Sequence, residues 1–189
     1  MKKTALVLIG FQQKNHSAEK KCEKIKKTLR KHGYEVYISN YGEGQGYTQS
    51  IDDYVKYVVK EISEMGNIEI IIAHSMGGLI ARSLIEQYNL KARKLIMLEV
   101  PNGGVPRWYA KRFFPLNLCV KDMTRGSNFL QKLNRYKKVE TEYIHVIGLL
   151  GLLSKKTFNL QLAKTTSMLV RHHKMLTNRK IIKKIINLL

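Results

Sequence analysis

The chain is short of the residues that staple, break or span. Its two cysteines, Cys22 and Cys119, are too few for a disulfide framework, and their spacing fits no metal site. Three prolines leave few forced breaks, and no apolar run is long enough to cross a bilayer as a helix. Carboxylates are scarce as well. Fourteen Asp and Glu face 34 Lys and Arg, for a formal net charge of +20, and no Asp or Glu follows Glu142. A surface of that sign attracts anionic partners through its long-range field: lipid headgroups, nucleic acid or phosphorylated groups. The competing explanation is compositional drift toward Lys, Ile and Asn, with the charges forming solvated faces. The few thiols fit a reducing cytoplasm, which is the expected location, peripheral to the membrane if the charge is used.

Met1-Lys2-Lys3-Thr4 ahead of Ala5–Ile9 has the outline of a signal peptide. Its apolar core is short, and Gln12, Gln13 and Lys14 stand where a small-residue cleavage site belongs. We read Thr4–Ile9 as the first core strand, with the chain starting at Met1.

What is present is a globular chain. With 189 residues and 44% hydrophobic content, one domain over 1–189 is expected. Ala18, Cys22, Ile25 and Leu29 recur at helical spacing, and Gly33 ends that helix. Strands are expected at Tyr34–Ser39, Ile68–Ala73, Lys94–Leu98 and Tyr143–Ile147, with a sixth inside Thr165–Val170. Ser50 caps a helix carrying Ile51, Tyr54, Val55, Val58, Val59 and Ile62. Asn178–Leu189 reads as a closing amphipathic helix. The glycine-rich stretch Tyr41–Tyr47 lacks a phosphate-loop ending and is read as a flexible loop near the active edge. The alternation implies an α/β fold with a mostly parallel sheet of about six strands and helices on both faces. Ligands in such sheets sit at the carboxyl ends of the strands, where Gly10-Phe11, Ser75 and Glu99 all fall.

The most specific segment is Ile70–Gly78. An apolar run ends at Ala73, followed by His74-Ser75-Met76-Gly77-Gly78 and a helical pattern over Leu79–Tyr88. Strand, tight turn and helix are the context of a nucleophile elbow. Ser75 would be lifted above the sheet edge, with the Met76 N–H aimed at an oxyanion. The plain alternative is Ser75 as a helix N-cap.

These residues resemble the α/β-hydrolase superfamily, close to small bacterial lipases and esterases. Leu8-Ile9-Gly10-Phe11 resembles the turn after the first core strand, with Ile9 where the family usually has histidine. Leu98–Gly104 resembles a Leu-Gly-Thr-Pro-x-x-Gly segment, and Asp122–Leu130 with Leu133-Asn134 a Gly-Ser-x-Phe-Leu…Leu-Asn element. His172–Leu176 resembles the C-terminal histidine loop. The resemblance implies a cofactor-free serine hydrolase acting on carboxylic esters through an acyl-enzyme, with no metal. Ser75 is the nucleophile, and Phe11 and Met76 supply the oxyanion N–H groups. The base is His172, preferred over His173 because Met175 and Leu176 follow it at the family's spacing.

The acid is the open position. The loop where the family usually places it, 148–171 here, contains no Asp or Glu. Glu99 is the best substitute, Asp122 the runner-up, and Glu140 a weaker choice. His74 is a poor base, fixed on the elbow and expected to point away from the hydroxyl. His145 reads as a satisfied core histidine. Trp108, Tyr109, Phe113 and Phe114 among Arg107, Lys111 and Arg112 suggest a short lid or interfacial segment within 104–125, or a surface helix that closes the core. The implied partner is a small-molecule or lipid ester, with an anionic membrane surface as a further candidate. The rival from another class is a degenerate hydrolase fold that binds membrane or nucleic acid. Nucleic acid is the weaker of these, since no recognition motif is present.

Overall fold

In a computed structural model, the protein is described over residues 3–10, 18–42, 48–113, 116–135, 139–150 and 155–189. The elements run β1 (Lys3–Leu8), α1 (Ala18–Lys31), β2 (Tyr34–Ile38), α2 (Ile51–Ile62), β3 (Ile68–His74), α3 (Met76–Glu86), β4 (Lys94–Leu98), α4 (Arg107–Phe113), α5 (Leu118–Asp122), α6 (Asn128–Leu133), β5 (Glu142–Gly148), α7 (Lys155–Phe158), β6 (Lys164–Met168) and α8 (Arg179–Ile186). A 3-10 turn at His172–Lys174 precedes α8. The six strands form one sheet in the order β2-β1-β3-β4-β5-β6, and every pairing is parallel. The strand order reverses between β1 and β3, so the turns after these two strands meet side by side at the carboxyl edge.

Alternate residues of each central strand feed two cores. Leu6, Leu8, Ile71, Ala73, Leu95 and Met97 face α2, α3, α5 and α6. Ala5, Val7, Ile70, Ile72, Ile96 and Leu98 face α1 and α8. Burial on both sides is why these strands are continuous apolar runs rather than alternating ones. Cys22 and Cys119 lie buried in different cores, and burial pushes each thiol up to about 12. Ser50 caps α2 by accepting from the Asp53 N–H at 3.2 Å, and Asn178 accepts from the Lys180 and Ile181 N–H groups to start α8.

The main departures from the sequence reading are local. The helix after Ser75 starts at Met76, three residues earlier than its apolar period suggests, because the turn is complete within Ser75 itself. The sixth strand is Lys164–Met168 and sits at the sheet edge, so four of its five residues are polar. The aromatic, basic stretch folds partly as α4. There Ala110 is buried and Trp108 exposed. Phe114 and Pro115 lie outside the described residues, as do 43–47 of the glycine-rich loop. Tyr41 at the start of that loop is buried, and its hydroxyl donates to the Ile9 carbonyl.

Beneath the carboxyl edge lies a buried polar network centred on Arg82. Its Nε donates to Glu86 Oε1 at 2.8 Å and its Nη2 to Glu86 Oε2 at 3.2 Å and the Leu133 carbonyl at 3.3 Å. Its Nη1 reaches Asn102 Oδ1 at 3.0 Å and Asn134 Oδ1 at 2.9 Å. These five contacts match the five N–H donors of a guanidinium. Tyr143 donates its hydroxyl to Glu86 Oε1 at 2.9 Å, and burial with the Glu86 charge raises its pKa. The network therefore ties α3 to the loop after β4, to the end of α6 and to β5.

His145 adds a second tie. Its Nε2 accepts from the Val100 N–H at 3.0 Å, so the ring is a neutral tautomer carrying its proton on Nδ1. Nδ1 makes no close hydrogen bond, only a weaker contact to the Phe158 backbone, so this core histidine is less than fully satisfied. Burial, partly offset by the Phe158 backbone, lowers its pKa to about 4.

Two stability predictions follow from these ties. Arg82→Ala strands Glu86 in the core and should lower unfolding free energy by about 3–5 kcal/mol, read by urea denaturation. A loss below about 1 kcal/mol would show that the network carries little. Because the folded state disfavours protonated His145, the unfolded chain binds more protons below its ordinary value. Stability should be complete above about pH 6.5 and fall as the pH drops toward about 4. The urea midpoint should decline less steeply over that window in His145→Gln than in the parent protein.

Candidate active site

Ser75 follows β3 directly, with φ 54° and ψ −129°, a conformation rare for a side-chain-bearing residue. Its N–H donates to the Leu98 carbonyl at 3.0 Å, carrying the β3–β4 ladder one residue past the strand. The hydroxyl makes no helix-capping bond, so the N-cap alternative does not describe it. It meets His172 Nε2 at 3.1 Å instead. The turn after β1 lies against it: a Cβ on Gly10 would stand 2.6 Å from the Ser75 Cβ. Only glycine permits this approach.

His172 sits on the 3-10 turn after β6, and its Nδ1 lies 2.9 Å from Glu99 Oε2. A carboxylate only accepts, so Nδ1 carries the proton and the Nε2 lone pair faces the Ser75 hydroxyl. Glu99 is buried and immediately follows β4, at φ 47°. Its N–H donates to the Val146 carbonyl at 2.9 Å, repeating on β4 and β5 the step that Ser75 makes on β3 and β4. Its second oxygen, Oε1, accepts from the Gly148 N–H at 3.1 Å. A Cβ at position 148 would stand 2.6 Å from that oxygen, so the end of β5 is bare where the carboxylate lies across it.

The other candidates fall elsewhere. Asp122 is half-buried and accepts from the Ile51 N–H at 2.8 Å, which satisfies the N-terminus of α2; burial raises its pKa. The runner-up acid is thus occupied by a helix end. Glu140 is exposed and pairs with Lys91 at 3.1 Å. His173 is exposed and makes no hydrogen bond to Ser75, whereas its neighbour does. The Met76 N–H begins α3 beside Gly10 and has no acceptor among the described residues. Phe11 lies outside the described residues.

Sequence reasoning missed the part His74 plays. Its Nε2 donates to the His172 carbonyl at 3.1 Å, and the two rings lie 4.5 Å apart, tilted by 38°. It points away from the hydroxyl and braces the backbone that carries the other histidine. Burial first, and then the neighbouring His172, hold its pKa well below the ordinary histidine value. The signal in the sequence was only its place beside Ser75. The contact joins residues 98 positions apart and has no local signature.

Ile9, Gly10, Lys21, His74, His172 and Leu176 help line a cavity of about 190 Å³ next to this line of residues. Partial burial lowers the pKa of Lys21 there. A larger hollow of about 500 Å³ lies at the opposite edge of the sheet, among Glu69, Arg93 and Glu140, away from Ser75.

A sequence profile for palmitoyl protein thioesterases matches residues 5–149, most of the chain. The chain belongs to the palmitoyl protein thioesterase family. The matched region of this thioesterase-family chain holds Ser75, Met76 and Glu99 and stops short of His172, whose place rests on geometry alone. Solved structures of the α/β-hydrolase superfamily share its fold. An extracellular alpha/beta-hydrolase from a Paenibacillus species aligns at TM-score 0.72 and 13% identity, over 98% of each chain. The monoacylglycerol lipase of Paleococcus ferrophilus aligns at 0.73 and 12%, over 98% of this chain and 93% of its own. The thioesterase domain of the curacin biosynthetic pathway aligns at 0.70 and 12%, over 99% and 90%. No curated protein matches in sequence.

The bracing contact has a direct spectroscopic consequence. In an imidazole nitrogen titration, His74 should stay neutral well below pH 6.5, with its proton on Nε2. A His74 that charges at the ordinary histidine value would mean the two rings do not pack as described.

Proposed function

We propose that the protein is a serine hydrolase of acyl esters, with fatty acyl thioesters as the class its family favours and carboxylic oxygen esters as close alternatives. The observation that carries this reading is the unbroken hydrogen-bonded line Ser75–His172–Glu99 at the carboxyl edge of the sheet. In the proposed reaction, Ser75 Oγ attacks the acyl carbonyl as His172 Nε2 takes its proton. Glu99 holds the ring in the required tautomer and stabilises the imidazolium. The Met76 N–H donates to the oxyanion. Collapse expels the thiol or alcohol, which takes its proton from His172 when it needs one. Water, deprotonated by the same nitrogen, then releases the acid and restores the serine.

A catalytically degenerate binding fold is less well supported. Its grounds are the missing carboxylate after β5 and the +20 charge, and against the first stands Glu99, within hydrogen-bond distance of both His172 and the end of β5. The expected cytoplasmic location and a lid within 104–125 stay part of the proposal. Exposed Trp108 beside Tyr109 on α4 is the feature that supports the lid.

The test is fluorophosphonate labelling combined with turnover of palmitoyl-thioester and nitrophenyl-ester substrates. Labelling should vanish in Ser75→Ala. In Glu99→Gln, kcat should fall by about 10³–10⁴ with KM little changed. Folded parent protein that neither labels nor turns over either substrate would overturn the reading. A loss below about tenfold in Glu99→Gln would place the acid elsewhere.

A further inference from the structure

The positive charge is not spread evenly over the fold. Seven basic residues and two acidic ones lie on α1, and the segment 171–189 has six basic residues and no acidic one. Both pack on the same side of the sheet and touch each other. Across the sheet, α2 carries Asp52, Asp53 and Glu61 against Lys56 and Lys60, and α3 balances Arg82 with Glu86. The opposite side is basic too, at Arg107, Lys111 and Arg112 on α4 and Lys132 on α6, but the joined face of α1 and 171–189 gathers thirteen basic residues against two acidic ones. On the loaded face, Glu19 and Glu23 are taken up by Lys26 and Lys27. Lys24, Lys31, Lys180 and Lys183 are exposed and have no carboxylate partner among the described residues.

The same side meets an apolar rim at the mouth of the site. Leu149 and Leu150 follow β5 and are 46% and 54% exposed; Leu169 follows β6 and is 74% exposed. The Leu149 N–H donates to the Met168 carbonyl and the Leu150 N–H to the Val170 carbonyl, so the three leucines stand together. Exposed Arg171 comes two residues after Leu169, Lys174 closes the next turn, and α8 follows. Basic face and leucine rim are thus one strip of surface that runs past His172.

We propose that this strip docks the protein on an anionic lipid bilayer, with the leucines at the headgroup–acyl boundary and the lysines over the charged headgroups. The inference goes beyond the hydrolytic reading and stands without it. Lipid is favoured over nucleic acid because a phosphate backbone has no use for solvent-exposed leucines, whereas interfacial binding needs both apolar area and basic charge. Docked this way, the α1–α8 face lies along the membrane, with the carboxyl edge of the sheet and its leucines at one end of the contact.

The experiment is co-sedimentation of the full chain with vesicles of phosphatidylcholine alone and of phosphatidylcholine with phosphatidylserine. Binding should occur only to the anionic vesicles and weaken with salt. Substituting Lys24→Gln, Lys31→Gln, Lys180→Gln and Lys183→Gln together should weaken it about a hundredfold or more, at the usual contribution of each surface lysine. Leu150→Ser with Leu169→Ser should weaken it as well. Equal binding to neutral and anionic vesicles, or undiminished binding by the lysine variant, would overturn the proposal. So would undiminished binding by the leucine variant together with displacement by duplex DNA, which would mark a general polyanion surface. Turnover of a soluble ester without vesicles should be the same in both variants as in the parent. A parent protein that binds anionic vesicles yet hydrolyses nothing keeps the docking and removes the hydrolase reading, so the two fail separately.

Discussion

A guanidinium taken out of water must have all its donors met, and Arg82 meets that demand with partners from three different parts of the chain, a fourth joining through Glu86. Glu86 comes from its own helix, Asn102 from the loop after β4, Asn134 and the Leu133 carbonyl from the end of α6, and Tyr143 joins through Glu86 from β5. Such a pair offers little net stability over an apolar replacement, but removing one partner is costly. What it supplies is position. The loop that begins with Glu99 leaves β4 at an angle fixed by Asn102, which Asn134 grips a second time through its carbonyl. His145 holds the same loop at Val100, and the Thr157 carbonyl holds it at Gly103. Helix α3 and the loop that carries Glu99 are therefore set against one rigid polar knot.

Strain collects where that knot ends. Ser75 and Glu99 are each the first residue past a parallel strand, and each has positive φ. Conformations of this kind cost of order 1–3 kcal/mol apiece and persist only where the surroundings hold them. Here each N–H is anchored to the carbonyl of the next strand, Ser75 to Leu98 and Glu99 to Val146. The two turns are steps of one staircase across the sheet edge, and His172 bridges the side chains they lift.

Much of this was legible before the structure. Strands buried on both faces announce themselves as unbroken apolar runs, so β1, β3 and β4 fall within a residue or two of their expected bounds. The amphipathic period of α1 and α2 and the Ser50 cap are local signals and read directly. Ser75 was legible because strand, turn and helix follow one another in the chain. The proposed acid was harder. Asp122 and Glu99 carry the same functional group, and only the fold shows one consumed by the Ile51 N–H and the other laid beside Gly148. His74 and the Arg82 network were illegible for a related reason: their partners lie far along the chain, and a buried polar contact between distant residues has no period or spacing.

The bare end of β5 carries a historical consequence. Glu99 and Gly148 form a single unit, since the carboxylate from one strand fills the space that a side chain on the other would need. Changing only Glu99 leaves the imidazole with no carboxylate, and changing only Gly148 drives a new side chain into the Glu99 carboxylate. The Val170 carbonyl also stands against any Cβ at position 148, so exchanging the two residues together does not move the carboxylate one strand along either. The arrangement is thus a local peak separated from its alternative by a valley, which a lineage under continuous selection for the same chemistry does not cross one step at a time.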